Sequence, residues 1–485
     1  MRSYEHRSLG DAATGAAPVE LGGPAGGPFA LTYGDVVALS GDFFAATDGA
    51  EDGLFALAAV PGRAGHAPGT RDELVCALKV AAVDEETADP RFEPGGAFAG
   101  IQLRPGANAG EVERRVRDRY LTLAAANDDH FVAPGRAGVA TASGAPSAPA
   151  AYRRLHRRAL DGAWGAGLSG GDVSAGMARE AAAQHYLTDA FAAGHLRTPV
   201  ADIRHYWHSR FSAFWELLQR KVATDTARAL RELNGLLRLF PHRFVERRTL
   251  VELTRRTGRY PELSLGDLVA RVFHDWDNTH GLAVEGGGMV FGDGHLEEGA
   301  TKALALSAVR AGIDDVEVAY GLGAAGHRTG GEALYRAVRE ATGADDDRFR
   351  AEAMVPGVSP DNPVQNWFAS GAEELWAAPM VGGSGPTVGE ALVAMLAPDG
   401  AFIRQVDALG RGLAGGGGIF AVPLLGSWFA GRCCHAFHEG FVVPLAHDPE
   451  GAVLELLRDG SSRHVAPGRA ATQLVGAAGA AGGTA

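Results

Sequence analysis

Between Ala181 and Pro199 the chain reads AAAQHYLTDAFAAGHLRTP, and no other stretch constrains the fold as strongly. Its alanine run has high helix propensity, whereas Gly194 and Pro199 mark where a helix weakens and stops. His185 and Asp189 stand four residues apart, on one helical face and about a turn from each other, so both can reach a single cation. His195 follows about a turn and a half further along and round the side of the same helix. From there it can serve a neighbouring cation, with Asp189 between the two. A carboxylate shared by ions about 3.5 to 4 Å apart is what a multi-metal hydrolytic site requires. Spacing alone leaves a second reading open, in which these are ordinary packed or surface residues of a long helix.

The H-x-x-x-D-x-x-x-x-x-H spacing, followed by Arg197 and Pro199, resembles the core motif of the zinc-dependent phospholipase C and S1/P1 nuclease superfamily, and most closely its bacterial branch. The resemblance implies a mainly α, multi-helix bundle with a small β-hairpin insertion and a C-terminal helical region, holding up to three zinc ions. It implies that His185 and Asp189 bind one zinc and that Asp189, on which catalysis depends, bridges to a second. His195 then belongs to a third. The Gly41-Asp42 pair and the run Asn127 to Phe131 have similar counterparts in that group, which adds Asp42 and His130 to the ligand set. By their residues alone, Asp42 reads first as a turn cap and His130 first as a helix C-terminal cap residue.

In AYRRLHRRALDGAW, Tyr152, Leu155 and Ala159 form a buried stripe that His156 adjoins, which makes His156 a further candidate ligand. His205 and His208 have serines four residues on, so the His-x-x-x-Glu/Asp pair that completes the third zinc in the superfamily is missing there. In VARVFHDWDNTHGLAV the residue four after His274 is Asn278, yet the resembling proteins carry a similar His-Asp-x-Asp. His274, with Asp275 or Asp277, is therefore expected to replace the missing pair. His435 and Glu439 have the same spacing much further along and form a reserve site.

Residues 1–28 read as a loosely ordered lead, and 29–320 as the metal-binding helical domain interrupted by a Pro/Gly/Ser/Ala connector at 133–151. Within that domain EVERRVRDRYLTLAAANDDHF has helical periodicity, and Leu282–Val284 and Met289–Phe291 flank EGGG as a small hairpin. Residues 321–460 read as a C-terminal helical region and 461–485 as a disordered tail.

Composition narrows the chemistry. A net charge of −13 argues against holding duplex DNA by phosphate neutralisation. Three cysteines form neither a disulfide framework nor a thiolate metal pattern, which leaves nitrogen and oxygen ligands for any metal. Sixty-eight glycines make glycine motifs cheap, so the G-x-G-x-x-G match at Gly321 to Gly326, without surrounding βα units, is a weak sign of dinucleotide binding. The apolar, glycine-rich run Gly412 to Gly431 reads as a packed hairpin or a membrane-surface element. The N-terminal MRSYEHRSLGD has no basic-then-apolar signal, so a cytoplasmic location is the default expectation, with non-classical export open.

Together these readings describe a zinc-dependent phosphodiester hydrolase that uses metal-activated water, its substrate leaning towards phospholipid rather than single-stranded nucleic acid. The alternatives are a single-strand nuclease and a catalytically degenerate helical protein with at most one structural metal.

Overall fold

A computed structural model describes residues 1–16, 18–19, 31–44, 127–133, 147–210, 265–344, 347–367, 379–381 and 384–395, with a few isolated positions between them. Among these residues the protein is mainly helical, with three short two-stranded antiparallel sheets. The expected helix at residues 111–126, the run Gly412 to Gly431, the His435 and Glu439 pair and the tail lie outside the described residues.

Three long helices form the frame: α3 (Ala148–Ser169), α4 (Ser174–Asp189) and α8 (Thr301–Ala324). On α3, Tyr152, Leu155, Ala159, Leu160 and Ala163 recur at helical spacing and are buried, while arginines cover the other face. They pack with Ala305, Ala308, Val316 and Ala319 of α8. Helix α4 is different, because every residue from Glu180 to Asp189 is buried. A helix closed in on all sides suits small residues, and Ala181, Ala182 and Ala183 let the neighbouring helices approach. Polar groups on such a helix must find partners inside the protein. In this way the frame commits His185 and Asp189 to the interior.

The first residues depart from the expected loose lead: Ser3–Thr14 form helix α1. Glu5 is the reason. Its Oε2 accepts the Arg2 N–H at 2.9 Å, closing the helix start, and its Oε1 accepts the Gly294 and Leu296 N–H groups, each at 3.0 Å. Leu9 inserts into the core, and the helix packs against α2 (Tyr33–Leu39), which follows the ribbon of β1 (Pro18–Val19) and β2 (Leu31–Thr32). One buried carboxylate thus ties the start of the chain to a loop nearly 290 residues away.

The central stretch also differs from one continuous helix. Helix α4 ends at Asp189, and His195 sits on a separate short helix, α5 (Ala193–Arg197). Thr188 Oγ1 bonds back to the Gln184 and His185 carbonyls, and Ala192 is extended. The N–H groups of Ala193 and Gly194 bond to the Phe291 carbonyl and to Asn278 Oδ1 instead of continuing the ladder. Helices α6 (Val200–Arg210) and α7 (Leu265–His280) follow, and α7 packs on both α6 and α5.

The hairpin is present as β3 (Leu282–Ala283) and β4 (Met289–Val290), with Leu282 opposite Val290. Gly286, Gly287 and Gly288 all take positive φ in its turn, which accounts for the glycine run. Gly321 and Gly323 lie in α8, so no strand precedes the G-x-G-x-x-G match and it cannot form a phosphate-binding turn. Helices α9 (Glu332–Thr342) and α10 (Arg350–Ala353), the ribbon of β5 (Pro379–Val381) and β6 (Ser384–Thr387), and α11 (Val388–Met395) complete the described elements. Among the described residues no helix is long and apolar enough to cross a membrane.

Candidate metal centre

Where α1, α2, α4, α5, α7 and the short turn Asp128–His130 converge, five imidazoles and three carboxylates meet. His6, Asp42 and His185 form one group of donors, and His130, His185 and Asp189 a second. His195, His274 and Asp293 form a third, and within each group one atom per residue lies within 4.8 Å of the others. His6, His185 and Asp189 are wholly buried or nearly so.

The hydrogen bonds decide which ring nitrogens are available. His185 Nδ1 is 3.0 Å from the Val37 carbonyl and His195 Nδ1 is 2.9 Å from the His130 carbonyl. A carbonyl only accepts, so in both rings Nδ1 carries the proton. His6 Nδ1 lies 2.7 Å from Thr188 Oγ1, whose own proton is directed at the Gln184 and His185 carbonyls; that hydroxyl therefore accepts from His6. Nε2 is the nitrogen each ring turns inward, that of His185 3.3 Å from His130 Nδ1 and that of His195 3.5 Å from the Met1 ammonium. His6 Nε2 makes no hydrogen bond and lies 3.4 Å from Asp189 Oδ1, while His185 Nε2 is 3.5 Å from Asp189 Oδ2 and 3.8 Å from Asp42 Oδ1. A second layer that fixes the tautomer and turns the other nitrogen to a common point is how metal-binding histidines are held.

Charge supports the same arrangement. Burial, reinforced by the His6 ring, holds His185 well below the ordinary imidazole range, and burial with the Met1 ammonium lowers His195 to about 3. Both rings are therefore neutral, the form that ligates. Burial works to raise the Asp189 carboxyl, but the Met1 ammonium, His195, His6 and His130 outweigh it, and the group stays well below the carboxylate range. Burial would lower His130, yet its 2.7 Å bond to Asp189 Oδ2 raises it. Burial likewise opposes the Met1 ammonium, which Asp189 and Asp293 lift to about 11. That ammonium sits 2.6 Å from Asp189 Oδ1 and 3.2 Å from Asp293 Oδ1, a place where positive charge is favoured. An orphaned Nε2, a carboxylate flanked by several rings and a purely nitrogen and oxygen donor set fit a divalent cation such as zinc.

Of the residues expected from the sequence, His185, Asp189, His130, Asp42, His195 and His274 are brought together here. His156 is not. Its ring lies between Glu180 and Asp315, away from these groups. Asp277 is also turned elsewhere, because Arg197 grips both its oxygens and Gln365 donates to Oδ2 at 2.7 Å. Asp275 bonds His274 Nδ1 at 2.9 Å, half exposed, behind the ring. His205 is exposed on α6.

Two donors were not anticipated. His6 lies in the stretch read as a loose lead, and only Glu5 at helix-capping distance from Arg2 hinted at order there. Asp293 lies in Gly292-Asp293-Gly294, which the sequence presents as a hairpin closure. Comparison with family models, curated proteins and solved structures finds no match to this chain.

Proposed function

We propose that this protein is a metal-dependent phosphodiester hydrolase, similar in its chemistry to the phospholipase C and S1/P1 nuclease group. The observation that carries the reading is the convergence of His6 Nε2 and His185 Nε2 on the two oxygens of Asp189, at 3.4 and 3.5 Å, with the His195 ring beside the same carboxylate. His6, Asp42, His130, His185 and Asp189 would hold one or two ions, and His195, His274 and Asp293 a further one. When bound, such ions lower the pKa of water towards about 7 and offset the charge that develops on a phosphodiester.

The chain's own residues prepare the place. Thr188, Val37 and the His130 carbonyl orient the rings, and burial keeps His185 and His195 neutral. Asp189, ionised across the working range, would offer carboxylate oxygens to such ions. No protein nucleophile is required. Uptake of metal must displace the proton on His130 and the ammonium from Asp189, so metal affinity rises with pH.

The test is elemental analysis of the purified protein with an assay on a chromogenic phosphodiester. Bound zinc with hydrolysis that Asp189→Ala abolishes supports the reading. Zinc-free protein that takes up none on addition, or hydrolysis unchanged by Asp189→Ala, overturns it. Phosphatidylcholine vesicles assayed beside single-stranded DNA separate a phospholipase from a nuclease.

A further inference from the structure

One turn after His274 on α7, where a carboxylate would make a helical His-x-x-x-acid pair, the chain has Asn278. This side chain is buried, 1% exposed, and all its polar atoms are engaged. Oδ1 accepts the Gly194 N–H at 2.6 Å. The backbone carbonyl accepts the Gly292 N–H at 3.1 Å. Nδ2 lies 3.1 Å from His274 Nε2 and 3.5 Å from His274 Nδ1. A point that close to both ring nitrogens lies over the ring face, so the amide sets the tilt of the imidazole and leaves the in-plane Nε2 lone pair open. His274 Nδ1, facing Asp275 Oδ1, carries the proton.

One residue therefore touches the segment of each of three donors: Gly194 beside His195, His274 itself, and Gly292 beside Asp293. Space has been cleared for it. A Cβ at Gly194 would lie 2.5 Å from the His274 carbonyl and 2.9 Å from Asn278 Oδ1, and one at Gly292 would overlap the same Oδ1. Around this hub the His195 and His274 ring centroids are 4.9 Å apart, and His274 Nε2 is 3.7 Å from Asp293 Oδ2.

We infer that Asn278 is the positioning residue of a third metal-binding group, in which Asp293, from the loop after β4, supplies the carboxylate that α7 lacks four residues beyond His274. Asn278 is not itself a ligand, because its Oδ1 is spent on Gly194. The inference rests on the metal reading above and extends it to a division of labour that the helical spacing does not contain: the amide holds the group together and a remote acid completes it.

The test is titration of the metal-free, full-length protein with Co²⁺, following the visible absorption of each class of site. Wild type is expected to fill the Asp189 sites and one further class. Asn278→Ala and Asp293→Asn should each weaken that same class by about 10- to 100-fold and reduce its absorption, leaving the other classes unchanged. A merely structural role for Asn278 would lower the melting temperature without selecting one class. If Asn278→Ala does not fold, Asn278→Ser, which is smaller and still polar, and Asp293→Asn, whose side chain is 27% exposed, make the same comparison. An unchanged Co²⁺ complement and spectrum in the Asn278 variants, or in Asp293→Asn, overturns this inference alone. No uptake by wild type overturns the metal reading and this inference with it.

Discussion

Glu180 and Asp189 stand on the same buried helix, each packed against histidine, and the two surroundings treat the imidazole in opposite ways. At the Glu180 end, His156 Nδ1 is 2.5 Å from Glu180 Oε2 and Nε2 is 3.4 Å from Asp315 Oδ2. Burial would lower its pKa, but a carboxylate at each nitrogen raises it to about 9. Tyr152 and Gln184 also donate to Glu180. The result is a closed ion pair, with the ring as a cation clamped between α4 and α8. At the Asp189 end the Nδ1 atoms of His6, His185 and His195 face a hydroxyl and two carbonyls, which are neutral acceptors. There His185 and His195 are held below the ordinary imidazole range, and the three rings turn Nε2 rather than Nδ1 to the donor cluster. What separates an ion pair from a donor set is thus the group on the far nitrogen of each ring.

The largest expected effect is at Asp189. Asp189→Ala should abolish metal uptake and hydrolysis, and cost the metal-free protein about 3 to 5 kcal/mol, because the buried Met1 ammonium loses its nearest partner. Urea denaturation and metal analysis read the two losses. At the other end, His156→Leu should also cost about 3 to 5 kcal/mol by leaving two carboxylates buried against an apolar side chain, yet leave metal equivalents per folded chain unchanged. Loss of metal in that variant would show that the two clusters are coupled and remove the contrast.

A smaller, matched pair sharpens it. Gly312 backs onto Glu180 and Gly41 onto the His185 ring, each so closely that a Cβ would overlap its neighbour. Gly312→Ala and Gly41→Ala should each cost about 1 to 3 kcal/mol by overpacking. Gly41→Ala adds about 1 to 2 kcal/mol, since its φ of 81° is left-handed. Only Gly41→Ala should weaken metal binding, as calorimetric titration with zinc would read.

The gentlest probe is pH, at most about 1.4 kcal/mol per pH unit for one proton. His156 has a folded pKa raised from 6.5 to about 9, so its contribution is complete below 6.5 and is lost as pH rises through 9. His195 is lowered from 6.5 to about 3, so its neutral form stabilises the fold above 6.5 and that contribution is lost as pH falls towards 3. Melting temperatures of the metal-free protein should therefore decline on both sides. His156→Leu should remove His156's share of the alkaline decline and leave the acid decline in place.

The helical character, the hairpin at Leu282 to Val290 and the pairing of His185 with Asp189 were legible because each depends on near neighbours. Helical spacing puts residues four apart on one face, and a glycine run between apolar pairs permits a tight turn. His156 shows the limit of that legibility. Its place on a buried stripe was readable, but its partners Glu180 and Asp315 come from two other helices. Asp277 looked like a ligand in sequence until Arg197, from α5, was seen to hold both its oxygens. His6 and Asp293 carried no local signal, since a lone histidine and a Gly-Asp-Gly turn have many ordinary uses.

By itself, then, the sequence determined that one alanine-rich helix would present a histidine and an aspartate on a shared face, with a second histidine six residues further on. Only the tertiary structure decided which histidines become cations and which become donors. A ring's protonation depends on the atom about 3 Å from each nitrogen, and in this protein those atoms arrive from α1, α2, α4, α8 and the turn at Asp128–His130, segments that meet only when the chain has folded.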